Sequence, residues 1–216
     1  MGKSRLNSLS AYHVVMGLRV RLGLLSLVCL GIADAQVIEF ESSGLIYRTL
    51  TRNGLTIMWA SLPSHVKSYS IVQVVVSNGS KVPWVVKPQD FRFDRSDGVV
   101  LLPIPANTVI DSMLQRASRN DVIRLVTAYE AGLYGNFKLR STDGYEARRQ
   151  SALAEVASAK LKAAAAASAI AFVPVKVTPG MSTDGAIFFV NGGKPLGAGK
   201  LTVHAAGEVF EFEIPR

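Results

Sequence analysis

The sequence predicts a mainly β fold of the α+β class, in which an antiparallel β-sandwich is interrupted by about three helices. Three observations support this prediction. Short apolar segments separated by Asn-Gly and Asp-Gly turns fill residues 37–104. The hydrophobic period becomes helical over about residues 105–170, and the strand pattern returns over residues 171–216.

The first strands are predicted around an Asn-Gly turn. Val37–Phe40 and Leu45–Leu50 come first, and Asn53-Gly54 leads to a partner strand at Leu55–Leu62. Tyr69–Val76 is apolar at both alternating sets of positions, which predicts a central strand covered on both faces.

A second hairpin is predicted directly afterwards. Asn78-Gly79 forms its turn and Val82–Val86 its returning strand. Phe91 and Phe93 alternate with polar residues, and Val99–Leu102 follows the Asp97-Gly98 turn. This completes the first strand block.

Three helices are predicted in the insertion. Asn107 caps the first, and Asn120 or Asp121 starts the second. Asp143 followed by Glu146 resembles a capping box for a third helix, which covers about residues 145–169 and is rich in alanine. Its larger apolar residues form a thin stripe.

Four further strands are predicted after the insertion, at Phe172–Val177, Ala186–Val190, Lys200–Ala205 and Val209–Ile214. In the last strand Phe and Ile alternate with Glu, which indicates one inward and one outward face. The loop at Ala205–Glu208 is predicted to close a terminal hairpin.

Residues 36–216 are predicted to form a single domain. The strand-rich pieces 37–104 and 171–216 together approach the roughly 100 residues of an immunoglobulin-like sandwich. The alternative is three segments joined by linkers, but no Gly/Ser-rich or Pro-rich linker stands at either junction.

A family resemblance lies within residues 69–100. The stretch Val74–Ser80 is followed by Pro83, Val85, Pro88, Asp90-Phe91 and Asp97-Gly98. This pattern resembles small secreted bacterial immunoglobulin-like β-sandwich proteins of unknown function. The resemblance implies a bacterial envelope setting and brings no catalytic residues.

Residues 1–35 have the three parts of a secretory signal. Basic residues precede the apolar run Leu22–Ile32, and Ala33-Asp34-Ala35 predicts cleavage before Gln36. A buried helix or a retained membrane anchor is the alternative, although the run is shorter than the roughly 20 residues of a membrane span. Met16 opens a shorter signal, which suggests that translation starts there.

Cys29, the single cysteine, lies within this apolar run. Lipoprotein attachment at Cys29 is the alternative to its removal, but Ser26 and Val28 fit a lipidation motif poorly. After cleavage the chain is predicted to fold without disulfides, thiol chemistry or Cys-ligated zinc.

The exported part is moderately basic. Four of the 24 basic and one of the 16 acidic residues lie in residues 1–35, which leaves 20 and 15 and a net charge of +5. An anionic surface polymer or lipid is therefore a candidate partner. No nucleic acid is expected, because no basic run is interleaved with aromatic residues.

Catalytic motifs are absent from the sequence. His65 and His204 have no ligand spacing, and there is no HExxH or GxSxG motif. Asp90, Asp94 and Asp97 offer oxygens to calcium but lack the EF-hand pattern, so turn roles are favoured. The sequence therefore assigns no catalytic, cofactor-binding or metal-ligating residue.

Three other patterns have structural explanations. Gly192-Gly193-Lys194 and Gly197–Lys200 lack the spacing of a phosphate loop and are predicted to form a mobile hairpin connection. Asn78-Gly79-Ser80 fits a glycosylation acceptor but is predicted to be a turn. Trp59 and Trp84 are predicted to pack in strands rather than form a sugar platform.

These observations favour an exported non-enzymatic protein that binds a partner through the helix at 145–169 or through a sheet edge. The alternative is a secreted hydrolase or carbohydrate-active protein with a site between the helical insertion and the sheet. Its acid–base candidates are His65, Asp90, Asp94 and His204.

Overall fold

The structure is a computed structural model that describes residues 36–42, 44–125 and 158–215. Contacts divide the chain into two units, Met1–Asp34 and Ala35–Arg216, and the described residues belong to the second. The predictions for the signal sequence, for Cys29 and for residues 126–157 lie outside the described residues.

The described part is mainly β, with antiparallel sheets, as predicted. Its strands are β1 (Ile38–Ser42), β2 (Leu45–Arg52), β3 (Leu55–Val66), β4 (Tyr69–Asn78), β5 (Trp84–Val86), β6 (Phe91–Arg95), β7 (Val100–Leu101), β8 (Val175–Val177), β9 (Ser182–Val190), β10 (Gly199–Ala205) and β11 (Glu208–Ile214). Its helices include α1 (Ala106–Arg116) and α2 (Ala159–Ile170), and residues 119–125 are also helical.

The strands form three sheets. The order is β1-β2-β3-β4-β9 in a five-stranded sheet and β11-β10-β6-β7 in a four-stranded sheet, while β5 and β8 form a two-stranded ladder. Strands β1 to β4 are neighbours in sequence order, so the first part of the chain is an up-and-down meander within one sheet. Strand β9 joins that sheet only after the helical insertion.

The five-stranded sheet is the middle layer of the fold, and β4 shows this most clearly. Its residues Tyr69, Ile71 and Val75 belong to a core shared with the helices, whereas Val72 and Val74 belong to a core shared with the four-stranded sheet. The prediction that this strand is covered on both faces is confirmed.

The alanine-rich helix α2 packs against α1 and shares a buried cluster with the five-stranded sheet. Ala163 and Ala167 are buried in the same cluster as Ala60 of β3 and Ala186 of β9. Small side chains on both partners allow a close approach of helix and strands. The helical insertion therefore completes a core and is part of the folded unit.

Segment 100–104 connects the two larger sheets on one side. Leu101 pairs with Phe93 in the four-stranded sheet. Two residues later Pro103 forms a bridge with Phe189 of β9, and the amide of Ile104 donates to the carbonyl oxygen of Phe188 at 2.8 Å. The chain thus covers the free edge of β9 while passing from one sheet to the other.

Two predicted hairpins are confirmed by their pairing and by their backbone. Strands β2 and β3 pair across Asn53 and Gly54, which have φ values of 47° and 74°. Strands β10 and β11 pair across Ala206 and Gly207, with φ values of 56° and 73°. Positive φ at both turn residues matches the right-handed twist of paired strands.

The predicted hairpin at Asn78-Gly79 is wrong. Strand β5 pairs with β8, not with β4. The Asn78 side chain is fully buried and holds the chain in a different path after β4. Neither Asn78 nor Gly79 has the positive φ that a type I′ turn requires.

The helix starts also differ from the prediction. Pro105, not Asn107, is the N-cap residue of α1. The next helix begins at residue 119, and Ser118 and Asp121 form a reciprocal capping box, so Asp121 stabilises the start from within the first turn. Of the predicted helix at 145–169, the described part contains α2, which begins at Ala159 and continues to Ile170.

Candidate functional site

The two larger sheets are linked at one pair of edge strands and not at the other. Segment 100–104 closes the side at β9 and β7. On the opposite side β11 contacts β2. Phe212 of β11 also packs edge to face against Trp59 of β3, with 6.1 Å between the ring centroids. Among the described strands β1 pairs only with β2, and β11 only with β10. We call β1 and β11 the open side.

The open side is acidic, although the exported part of the chain is basic. Strands β1 and β11 contain no Lys or Arg. Their acidic residues are Glu39, Glu41, Glu208, Glu211 and Glu213. One third of the 15 acidic residues predicted to remain after cleavage therefore lies on two short strands.

Arg48 anchors β1 at the margin of the core. The residue is 6 % exposed, and its Nε donates to Glu39 Oε1 at 2.6 Å. The guanidinium carbon lies 5.6 Å from the centroid of the Trp59 ring, which adds a cation–π contact. This arrangement neutralises Glu39 and covers the indole.

The other glutamates of the open side differ in whether a cation or a hydrogen-bond donor lies beside the carboxylate. Lys200 Nζ donates to Glu211 at 2.8 Å, and this hydrogen bond lowers the pKa of that carboxyl. Asn53 donates to Glu208 at 2.5 Å. In the described part of the chain Glu41 has no ion pair, and its opposite residue in β2 is Ile46, which is 52 % exposed.

Three of the four acid–base candidates lie on or beside the four-stranded sheet. Asp94 pairs with Lys200 in the β6–β10 register. In the same register Val203 pairs with Phe91, so His204 and Asp90 occupy the next positions along the two strands. The helices of the insertion cover the other face of the five-stranded sheet. These candidates therefore do not meet between the insertion and the sheet.

His65 lies elsewhere, near the end of β3. Its ring faces the loop after β9, where a Cβ on Gly193 would come within 3.4 Å of the imidazole. The structure thus separates His65 from the three candidates on the four-stranded sheet.

The three aspartates considered for calcium have separate local roles. Asp90 accepts the Lys87 amide at 2.7 Å, and Asp94 pairs with Arg92 at 2.8 Å. The Val99 amide and the Arg95 guanidinium hold the pKa of Asp97 below its usual range. Across residues 36–42, 44–125 and 158–215, no cluster of three or more His, Cys, Asp or Glu is arranged to hold a metal ion.

The prediction of a hairpin connection at Gly192–Lys194 and Gly197–Lys200 is wrong, because β9 and β10 belong to different sheets. The buried side chain of Asn191 fixes this crossover. Its Oδ1 accepts from Arg95 at 2.7 Å, and its Nδ2 donates to the carbonyl oxygen of Pro195 at 2.8 Å. Ser70 Oγ donates to the carbonyl oxygen of Lys194 at 2.7 Å.

In the Asn78-Gly79-Ser80 motif only Asn78 is buried, and its side chain bonds to two other segments. Both hydrogens of the Asn78 amide are used, since Nδ2 donates to the carbonyl oxygens of Val82 and Val177. Trp84 Nε1 donates to Ser80 Oγ at 2.9 Å, which joins the second tryptophan to the same network. Trp59 is buried in the core, so neither indole forms a flat sugar platform.

A groove of about 430 Å³ lies between the helical residues 119–125 and α2. Val122, Ile123 and Ala159 supply its apolar wall, and Arg119 and Lys162 supply two cations. The combination suits a small anionic amphiphile. Within the described residues, no helix has the length and apolar character needed to cross a membrane.

The comparisons with known proteins found no match among protein-family models, curated proteins or solved structures.

The acidic open side is the functional candidate that the sequence prediction missed. The alternation in Val209–Ile214 predicts an inward and an outward face but carries no information about a partner. The sequence feature that could have indicated this surface is that Ile38–Ser42 and Glu208–Ile214 contain no Lys or Arg. Only the structure shows that these distant segments lie on one side.

Proposed function

We propose that the chain is an exported, non-enzymatic binding module of the bacterial envelope or the secreted fraction. The observation that carries this proposal is the open side, where β1 presents an unpaired edge among the described strands. Natural sheet edges are usually covered or very short, and an uncovered edge is a template for strand addition.

The export proposal retains the signal sequence with cleavage after Ala35, and attachment through Cys29 remains its alternative. Two stacked sheets with a common apolar core support a sandwich. The immunoglobulin-like relationship stays a prediction, and the meander of β1 to β4 in one sheet counts against it, because immunoglobulin strands are divided between two sheets.

The test is capture of partners from envelope extracts by the exported protein carrying single surface substitutions. Ile38→Lys changes an edge residue that is 61 % exposed, and Ile123→Lys changes a groove residue that is 52 % exposed. We expect Ile38→Lys to lose the captured partner and Ile123→Lys to retain it. Equal capture by both variants and the parent protein contradicts binding through the edge.

A second candidate function follows from the groove between residues 119–125 and α2. Its two cations and apolar wall favour an anionic amphiphile such as a fatty acid. The test is calorimetric titration with laurate and with dodecanol. We expect laurate alone to bind, Lys162→Glu to abolish binding and the exposed neighbour Lys160→Glu to preserve it. Equal effects of the two substitutions contradict a site in the groove.

A further inference from the structure

We propose that the outer edge of β1 binds an extended segment of a partner protein in which basic and apolar residues alternate. This inference rests on the proposed binding function and adds the chemistry of the partner. It follows from the exposure of β1, from the separation of its side chains onto two faces and from the charge of the open side.

Three of the five residues of β1 are exposed to solvent. Ile38, Glu39 and Glu41 are exposed, and Phe40 is half-buried. One edge of β1 bonds to β2, and the backbone N–H and C=O groups on its other edge point away from the sheet. These groups can form a new ladder with an added strand.

The two faces of β1 differ in chemistry. Ile38 and Phe40 are opposite Thr49 and Tyr47 of β2, on the face that the helices cover. Phe40 stacks on Tyr47 with 5.4 Å between ring centroids. A strand added to this edge therefore meets apolar neighbours at every second position.

The other face of β1 is acidic. Glu39 and Glu41 project there, and Arg48 neutralises only Glu39. The positions of an added strand that lie opposite Glu41 and Glu39 consequently favour Lys or Arg, because opposite charges across strands stabilise a pair.

A second copy of this chain does not fit the edge. If β1 of one copy paired with β1 of another as a continuous sheet, residues of the same face would be opposite one another. Glu39 or Glu41 would then lie opposite a glutamate of the other copy in every antiparallel register with matching faces that pairs at least three residues of β1. Like charges in these positions destabilise the pair, so the occupant is a different, basic segment.

The test uses three synthetic peptides with blocked ends and the full exported protein. The probe is Thr-Lys-Val-Lys-Ile-Lys-Thr, in which Lys alternates with other residues. The first control contains the same residues in the order Lys-Lys-Lys-Thr-Thr-Val-Ile. The second control is the probe with N-methyl groups on alternate amides, which removes the hydrogen bonds of one strand edge. Binding is measured by fluorescence anisotropy at physiological salt.

We expect the alternating peptide to bind and both controls to bind about tenfold more weakly or not at all. Glu41→Lys is expected to weaken binding of the alternating peptide by about tenfold, which corresponds to loss of an attraction and gain of a repulsion. The matched control Asp111→Lys makes the same charge change on the exposed surface of α1 and is expected to leave binding within about twofold.

Several results overturn the inference. Equal binding of the alternating and block peptides means that charge alone acts, and an unchanged affinity in Glu41→Lys places the peptide elsewhere. Self-association of the parent protein that Ile38→Lys abolishes assigns the edge to a second copy. If Ile38→Lys loses a captured envelope protein but the peptide does not bind, the binding function stands and only the partner chemistry fails.

Discussion

The side chain of Asn78 makes four hydrogen bonds at a fully buried position. Its Nδ2 donates to the carbonyl oxygens of Val82 at 2.7 Å and Val177 at 2.9 Å. Its Oδ1 accepts from the amide of Ser80 at 2.9 Å and from the hydroxyl at 2.7 Å. Asn78→Asp preserves the shape of the side chain and replaces both amide hydrogens with an acceptor.

The expected loss follows mainly from the carbonyl group of Val177, which loses its donor at a buried position and costs about 1–3 kcal/mol. The carbonyl group of Val82 is only part-buried and still accepts from Ser80 Oγ at 2.9 Å, so it adds little. The free energy of unfolding should therefore fall by about 2 kcal/mol at neutral pH, a sizeable part of the roughly 5–15 kcal/mol typical of a domain. At acidic pH a protonated carboxyl can donate one hydrogen bond, so the loss should be smaller there.

The assay is urea unfolding followed by tryptophan fluorescence, since Trp84 is bonded to Ser80 within the same network. Asn107→Asp is the matched control, because it makes the same chemical change at an exposed position in the first turn of α1. That control should change stability by no more than about 0.5 kcal/mol. A loss below about 1 kcal/mol for Asn78→Asp, or equal losses for both variants, would refute the reasoning.

Three further substitutions test other parts of the fold. Burial raises the pKa of Tyr47 to about 12, so stability should fall by about 2 kcal/mol as pH rises from 10 to 12, and Tyr47→Phe should remove this alkaline loss in urea titrations. Burial opposes the charge of Asp121, yet hydrogen bonds from Ser118 hold its pKa below the usual range. Asp121→Asn should therefore cost about 1 kcal/mol at neutral pH. This cost should vanish as pH falls through that lowered pKa, and a pH-independent difference would contradict the assignment. A Cβ on Gly185 would lie 2.6 Å from Phe172 Cα, so Gly185→Ala should cost about 1–3 kcal/mol, and an unchanged urea midpoint would contradict the close approach.

A local feature of the fold can be predicted from the sequence when the residues of one short segment are enough to determine it. Asn53-Gly54 specifies a turn because both residues accept positive φ, and the apolar positions of Tyr69–Val76 specify a strand with two covered faces. The alanine content of residues 159–170 likewise specifies a helix, because alanine has the highest helix propensity.

Features that depend on distant partners were not predictable in the same way. Asn78-Gly79 has the composition of a hairpin turn, but hydrogen bonds to Val177, almost a hundred residues away, determine its path. The crossover after β9 depends on the contact of Asn191 with Arg95. The open side combines β1 with β11, and their shared acidity becomes meaningful only when topology brings the two ends of the domain together.

Strand β4 is apolar on both faces, and its position between two cores affects how the sheet selects a register. Side chains alternate with a period of two, so sliding β4 by one residue against β3 would exchange its residues between two apolar environments. Hydrophobicity therefore discriminates weakly between the two alignments. The hydrogen bond from the Tyr47 hydroxyl to Gln73 Oε1, at 3.0 Å, forms on the helix-covered face only in the observed alignment. This buried hydrogen bond therefore favours the observed register of β4, whereas apolar packing alone would allow two registers.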